Sequence, residues 1–290
     1  MWPDKETYYN SMKNAQYIQF NESHRSQKKY IDLSVGFYGG CSYHPSAWDK
    51  TFESLREHFP SAPVVIFQDG FSSGHDYSAM ASKYSATYLV ENTGIYLYWP
   101  TPEQAWKYLQ WILKAADVCN TEWLIQLHPD NIFNDKFHIP PPGPLCGLGC
   151  GSRNGISNNK LHPSLRNYVY EKYPNIEDNG YGWAGGGCLH VPTFRKIMET
   201  FTFDDVKTLY SNVLIKESDN NVSNNDDFFI PFIFNIYGYP YRVWLEIEEP
   251  GGAVGESAAI QHRNKTYYYQ QKTGTRDEIL KDILQDLNKL

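Results

Sequence analysis

Between residues 31 and 127 the chain alternates short apolar runs with longer stretches of helical character, and no other feature narrows its fold as much. The runs Ile31–Phe37, Val64–Phe67, Ala86–Val90 and Trp123–Leu127 have the length and composition of buried strands. Helices are expected between them, from about Ser46 to His58, Asp76 to Tyr84 and Pro102 to Ala116. In the last of these Pro102 occupies the first turn, and Ala105, Trp106, Leu109, Ile112 and Leu113 keep one apolar face. Tyr38-Gly39-Gly40-Cys41 reads as the turn after the first strand, and Gln68-Asp69-Gly70 closes the second. Strands joined through helices lie parallel, so an α/β fold is expected, with a mainly parallel sheet and helices on its faces.

At 290 residues the chain is long enough for one large domain. We place it at residues 30–270, after a polar leader at 1–29 and before an amphipathic helix at 271–290. In that tail Thr275 and Glu278 form a capping box, and Ile279, Leu280, Ile283, Leu284 and Leu287 share one side. The helix can dock on the domain or serve a homodimer, which leaves the oligomeric state open. A net charge of -7 with no basic stripe argues against a nucleic-acid groove. Met1 to Arg25 carry no apolar targeting core, and no apolar run reaches membrane-spanning length, so a cytoplasmic protein without a membrane span is expected. Five cysteines, Cys41, Cys119, Cys146, Cys150 and Cys188, lack zinc-site spacing and fit free thiols in a reducing compartment. Cys146 and Cys150 could pair, or be ordinary strand and loop residues. The sequons at Asn21, Asn221 and Asn264 would need a secretory route that the sequence does not advertise. Aromatic residues make up 16% of the chain and suit stacking on sugars or bases as well as core packing.

The second half is looser. Pro140–Pro144 and Gly147–Asn159 read as long loops around a strand at Leu145–Cys150. A glycine-rich segment, Gly180 to Cys188, leads to a strand at Leu189–Val191 and a helix from Pro192 to Met198. A polar loop at 216–225 delivers the chain to Asp226 and Asp227, where an apolar helix begins, with Pro231 tolerated about one turn in. Tyr241–Ile247 reads as a further strand, and Gly251, Gly252 and Gly255 form a turn before Gln261-His262-Arg263-Asn264-Lys265.

The fourth apolar run breaks abruptly into His128-Pro129-Asp130-Asn131. Ligands of open α/β sheets collect outside the carboxyl ends of the strands, so a histidine and a carboxylate there are placed to hold a metal ion or a phosphate-bearing ligand. No Gly-x-Gly-x-x-Gly opens a helix after the first strand, and no Walker-type lysine is present, which argues against dinucleotide and P-loop sites.

A strand, an Asp-Gly turn, a strand with an acidic tip, a Gly-Gly segment, paired carboxylates opening a helix and then a late histidine follow one another in an order that resembles the GT-A fold of nucleotide-sugar glycosyltransferases. The resemblance covers roughly residues 31–270, and the compact size is similar to the transferases that large DNA viruses encode for capsid glycans. It implies a GT-A-like, Rossmann-type mixed sheet in a single domain. It also implies an inverting, metal-assisted transfer of a sugar from a nucleotide donor to a hydroxyl of a glycan or glycoprotein acceptor. By the same resemblance Asp69 would accept a hydrogen bond from the nucleobase, with Tyr38 flanking it. His128 and Asp130 stand where the family carries Asp-x-Asp. His128 replaces the first acid, and an imidazole suits manganese better than magnesium. His262 would be a further metal ligand, Arg263 and Lys265 would meet the diphosphate, and Trp183, Gly185 and Gly186 would line the acceptor. Asp227 would be the catalytic base, with Asp226 orienting it. Ordinary structural roles compete throughout: turn and strand-end capping for Asp69, His128 and Asp130, a surface imidazole for His262, a buried indole for Trp183, and helix-dipole placement for the acidic pair.

Two other classes fit parts of the sequence. Gly70-Phe-Ser-Ser-Gly74 matches the nucleophile motif of α/β-hydrolases, with Ser72, Asp130 and His262 in the required order, although no sharp strand-to-helix elbow precedes the serine. A catalytically inactive carbohydrate-binding protein would account for the aromatic content and for His128.

Overall fold

Strand β1 (Val35–Cys41) lies inside the sheet, and both strands beside it, β2 (Val64–Gln68) and β4 (Trp123–Gln126), run parallel to it. The computed structural model describes residues 30–41, 44–68, 75–90, 101–147, 170–174, 176, 185–212, 226–244, 246–248 and 259–262. The leader 1–29, the segment 271–290, the loop 216–225, the three sequons, Asp69, Ser72, Cys150, Trp183, Arg263 and Lys265 lie outside these residues.

The main sheet is completed by β3 (Thr87–Leu89), parallel to β2, and by β7 (Cys188–His190), antiparallel to β4. Beyond β7 lie β6 (Leu145–Gly147), antiparallel to it, and β8 (Arg242–Val243), parallel to β6. The order is β3-β2-β1-β4-β7-β6-β8, a mixed sheet whose first half is parallel as expected. A smaller sheet pairs β5 (Asn131–Phe133), β10 (Ile260–His262) and β9 (Ile247–Glu248), in the order β5-β10-β9.

Helices cover both faces because the strands are apolar on both. Tyr38, Val65, Phe67 and Leu124 face one layer, formed by α3 (Pro102–Cys119), α4 (Val191–Met198), α5 (Phe203–Asn212) and α6 (Asp226–Ile236). Phe37, Val64, Ile66 and Ile125 face the other, with α1 (Asp49–His58), α2 (Ser78–Lys83) and the small sheet. Fully burying a Val, Leu, Ile or Phe side chain contributes about 1.5–3 kcal/mol, which draws helices to both sides of such strands.

Helix α3 starts as expected. The Thr101 side chain accepts from the Gln104 N–H at 3.4 Å, and Pro102 fills the first turn. It runs three residues past Ala116, ending where Asn120 turns left-handed at φ 48°. Its buried face takes in Tyr108 and Trp111 beyond the residues expected, while Trp106 and Leu113 are only partly buried.

Three expectations are corrected. The first strand does not span Ile31–Phe37, because the Ile31 N–H bonds to the Phe137 carbonyl at 2.9 Å and lies outside the sheet. Nor do Tyr38 to Cys41 form a turn: they continue β1, with Gly39 opposite Ile66 and Gly40 opposite Phe67. Gly39 serves close approach, since a Cβ there would stand 2.8 Å from the Leu127 carbonyl oxygen and 3.0 Å from the Trp48 ring. Tyr241–Ile247 is not one strand. Fully buried Trp244 bonds through its backbone N–H to Gly147 O at 2.8 Å and through its indole to Ile139 O at 3.0 Å, and the chain there passes from the main sheet to the small one. Helix α5 was not anticipated, although Thr202 and Asp205 cap it reciprocally, a short signal readable in the sequence. Among the described residues no helix is long and apolar enough to cross a membrane.

Candidate functional site

The chain leaves β1 for β2 on one side, and β4 later joins β1 on the other, so the carboxyl ends of β1 and β4 flank a topological switch point. There the Leu127 N–H donates to the Tyr38 carbonyl at 2.6 Å, holding the end of β4 against the middle of β1.

Past Leu127 the backbone folds into a tight turn. The His128 N–H donates to Asn131 Oδ1 at 2.7 Å, and the Asn131 N–H returns to the His128 carbonyl at 3.1 Å. The Thr51 hydroxyl, from the first turn of α1, reaches the same carbonyl at 3.4 Å. Asn131 is fully buried and Asp130 is 6% exposed, so both side chains of the turn are packed inside the fold. His128 is half-buried.

Beneath the turn, Gln126 extends a polar side chain from an otherwise apolar strand. Its Nε2 donates to the Tyr108 hydroxyl at 3.0 Å and lies 3.3 Å from His128 Nε2. The glycine segment closes over the turn from the other side. The Gln126 N–H donates to Gly187 O at 2.9 Å and the Gly186 N–H to Gln126 O at 2.7 Å, continuing the β4–β7 ladder. A Cβ on Gly185 would stand 2.8 Å from His128 Cβ and Cγ, and Gly186 has φ +100° with Ile247 as close. Only glycine lets this segment lie on the turn.

The small sheet brings in a third distant segment. Pairing of β10 with β5 places His262 opposite Asn131, three residues beyond His128. Asp226 and Asp227 open α6, whose Phe229, Ile230 and Ile233 pack in the same core layer as Tyr38 and Tyr108.

Among the candidates, the structure thus brings together Tyr38, His128, Asp130, Gly185, Gly186 and the backbone of His262. Asp69, Trp183, Arg263 and Lys265 fall outside the described residues, and Asp226 and Asp227 are placed only by their backbone. Sequence reasoning missed Gln126, Tyr108, Asn131 and Thr51. A glutamine inside an apolar strand run was the one visible signal.

No protein-family model matches this chain. Nor does any curated protein match its sequence. The chemistry of the site is therefore carried by its own residues.

Imidazole and carboxylate are a donor set that manganese accepts. Among the described residues, however, no three His, Cys, Asp or Glu side chains gather as a metal centre. Of the three expected ligands, His128 and Asp130 stand on the turn, and His262 is placed only by its backbone on β10. His128 Nε2 lies 3.3 Å from the Gln126 amide nitrogen. Just past β5, Asp135 shows how this end of the fold treats a carboxylate. Burial raises its pKa, but hydrogen bonds from the His138 ring, the Lys136 N–H and the Tyr30 hydroxyl outweigh that and hold it below the usual range.

Proposed function

We propose that this protein is a GT-A-like glycosyltransferase that moves a sugar from a nucleoside-diphosphate donor to a hydroxyl of a glycan acceptor. The observation that carries the reading is convergence: the His128–Asn131 turn, the Gly185–Gly187 segment and the β10 strand ending at His262 meet at the end of β4. These segments are far apart in sequence, and the switch point where they meet is where open α/β sheets bind ligands.

In this reading the donor diphosphate docks at the mouth between β1 and β4. The carboxyl end of β1, at Gly40 and Cys41, would border it on one side and the His128–Asp130 turn on the other. A divalent ion held by Asp130 and His262 would, when bound, neutralise charge on the departing diphosphate. Asp227 takes the proton from the acceptor hydroxyl as it attacks the anomeric carbon, and Asp226 orients it. General-base catalysis of this kind contributes about 10²–10⁴-fold in rate. Gly185 and Gly186, on the segment that lies against the turn, would border the acceptor sugar through their backbone.

The test is a thermal-shift screen of nucleotide sugars, each with and without manganese, followed by transfer assays with the donor that stabilises. A ligand at one hundred times its Kd stabilises the native state by about 2.7 kcal/mol, well within reach of the method. Stabilisation and transfer support the reading. Stabilisation with no turnover on any acceptor favours the carbohydrate-binding alternative, and ester hydrolysis that disappears in Ser72→Ala favours the hydrolase. Indifference to every sugar nucleotide sinks the proposal.

A further inference from the structure

We infer that Cys146 and Cys188 are a redox pair: a peroxide joins them in a reversible disulfide across β6 and β7, and the bond displaces the glycine segment that lies on the His128 turn. Such a pair acts whatever ligand the site takes.

In sequence the nearest cysteine to Cys146 is Cys150. Strand pairing supplies a different neighbour. Cys146 stands opposite Cys188 in the antiparallel β6–β7 register, both side chains are fully buried, and the two free thiols are hydrogen-bonded to each other.

The register decides what a bond between them does. The His190 N–H donates to the Pro144 carbonyl at 2.7 Å, which marks Pro144 and His190 as a hydrogen-bonded pair. Pair types alternate along an antiparallel ladder, so Cys146 and Cys188, two places further, are of the same kind. The Cα atoms of such a pair lie about 5.5 Å apart, inside the range of about 4.4–6.8 Å that a disulfide spans. Their Cβ atoms, however, lie near the wide end of about 4.5–5.5 Å, whereas a disulfide holds them at about 3.8 Å. Oxidation therefore narrows the gap by roughly 1–2 Å and works against the strands. Strained disulfides are the readily reduced ones, which makes the bond reversible.

Glycines carry the movement to the site. Gly147 follows Cys146 and Gly187 precedes Cys188, and a Cβ on Gly147 would stand 3.1 Å from Gly187 Cα. On the same segment Gly186 lies on Ile247 and Gly185 on His128, so a shift of β7 reaches the turn at the end of β4.

Peroxide reaches the buried pair through local opening at the β8 end of the sheet, where β6 has three residues and β8 two. Burial and the neighbouring thiol hold Cys146 well above the usual thiol range, so the reaction is slow at neutral pH and quickens as pH rises. Peroxide oxidises one thiol to a sulfenic acid and releases a water. The second thiol attacks that sulfur, the S–O bond breaks, and the oxygen leaves as a second water with the attacking thiol's proton. Two thiols and one peroxide thus give one disulfide and two waters.

The experiment treats the reduced full chain with hydrogen peroxide at neutral and at alkaline pH, blocks remaining thiols by alkylation, and maps cross-linked peptides by mass spectrometry without reduction. A Cys146–Cys188 cross-link is expected, formed faster at alkaline pH and removed by dithiothreitol. Cys150→Ser should leave its yield unchanged, and both Cys188→Ser and Cys188→Ala should abolish it. Deuterium exchange supplies the second measurement: the Gly185–Gly187 amides should exchange faster in the oxidised chain than in the reduced one, and peroxide should not change them in Cys188→Ser. A Cys146–Cys150 cross-link, sulfinic or sulfonic acids in place of a disulfide, or no cross-link at either pH overturns the inference. A Cys146–Cys188 bond that leaves exchange at Gly185–Gly187 unaltered overturns the coupling to the turn. None of these outcomes bears on the glycosyltransferase reading, which the donor screen tests separately.

Discussion

Gly185 lies so close to His128 that a single added carbon would stand 2.8 Å from both Cβ and Cγ of the imidazole side chain, and 2.8 Å from Asn131 Oδ1 as well. Gly185→Ala must therefore move the turn that carries Asp130. Overpacking of this kind costs about 1–3 kcal/mol, to be read by urea denaturation. The double variant Gly185→Ala/His128→Ala should lose less than the sum of the single losses, because the imidazole is the group displaced. Strict additivity would show that the strain is relieved elsewhere.

Asp130 and Asp227 should separate binding from chemistry. Asp130→Ala is expected to abolish most of the thermal stabilisation given by the donor, since in the proposed reading its carboxylate holds the cation that meets the diphosphate. Asp227→Asn should leave donor affinity nearly unchanged while slowing transfer by about 10²–10⁴-fold. Unaltered turnover in Asp227→Asn removes it as the base.

Glu246 is fully buried, and its Oε1 accepts the backbone N–H groups of His138 at 2.6 Å and Ile139 at 2.7 Å. This clamp joins the entry to β9 to the segment that leaves β5. Glu246→Leu strands two buried donors, each costing about 1–3 kcal/mol, so a total near 2–6 kcal/mol is expected in equilibrium unfolding. Glu246→Gln keeps an acceptor oxygen and should lose clearly less. Equal losses in the two variants would mean that packing, not the hydrogen bonds, sets the cost.

The pH dependence of stability should carry the mark of Asp49, Lys83 and Tyr84, which join α1 to α2. Burial raises the Asp49 pKa, but hydrogen bonds from Tyr84 at 2.6 Å and Lys83 at 3.0 Å outweigh it and leave the carboxyl below its ordinary 3.8. A depressed carboxyl stabilises above its unfolded pKa and loses that contribution as pH falls through the folded one. Tyr84 is pushed up to about 12 by burial and by its bond to Asp49. Hydrogen bonds to Tyr84 and Asp49 also hold Lys83 above its ordinary 10.5. Both then favour folding while they keep their protons, so stability should fall as pH rises above about 10. Chemical denaturation across pH should show Asp49→Asn with a flatter profile than the wild type at both ends. Parallel profiles would exclude the cluster as their source.

Much of the architecture follows from local pattern. The apolar runs at Val64 and Trp123 are buried on both faces, and the Thr101–Pro102 start of α3 lies where its capping residues put it, because burial period and capping act over a few residues. At β1 the local pattern misled: Gly39 and Gly40 look like a turn, yet close approach of Leu127 and Trp48 explains a glycine there.

The chain by itself determined a strand-and-helix alternation, a sheet covered on both sides and a polar break at His128, since these depend on residues that are neighbours in sequence. Tertiary structure decided what surrounds that break. Tyr108 reaches it from α3, Gly185 from the run into β7, and β10 through the register that sets His262 against Asn131. Pairings across such separations are chosen by which faces bury together and how closely two backbones can approach, and no local pattern records either.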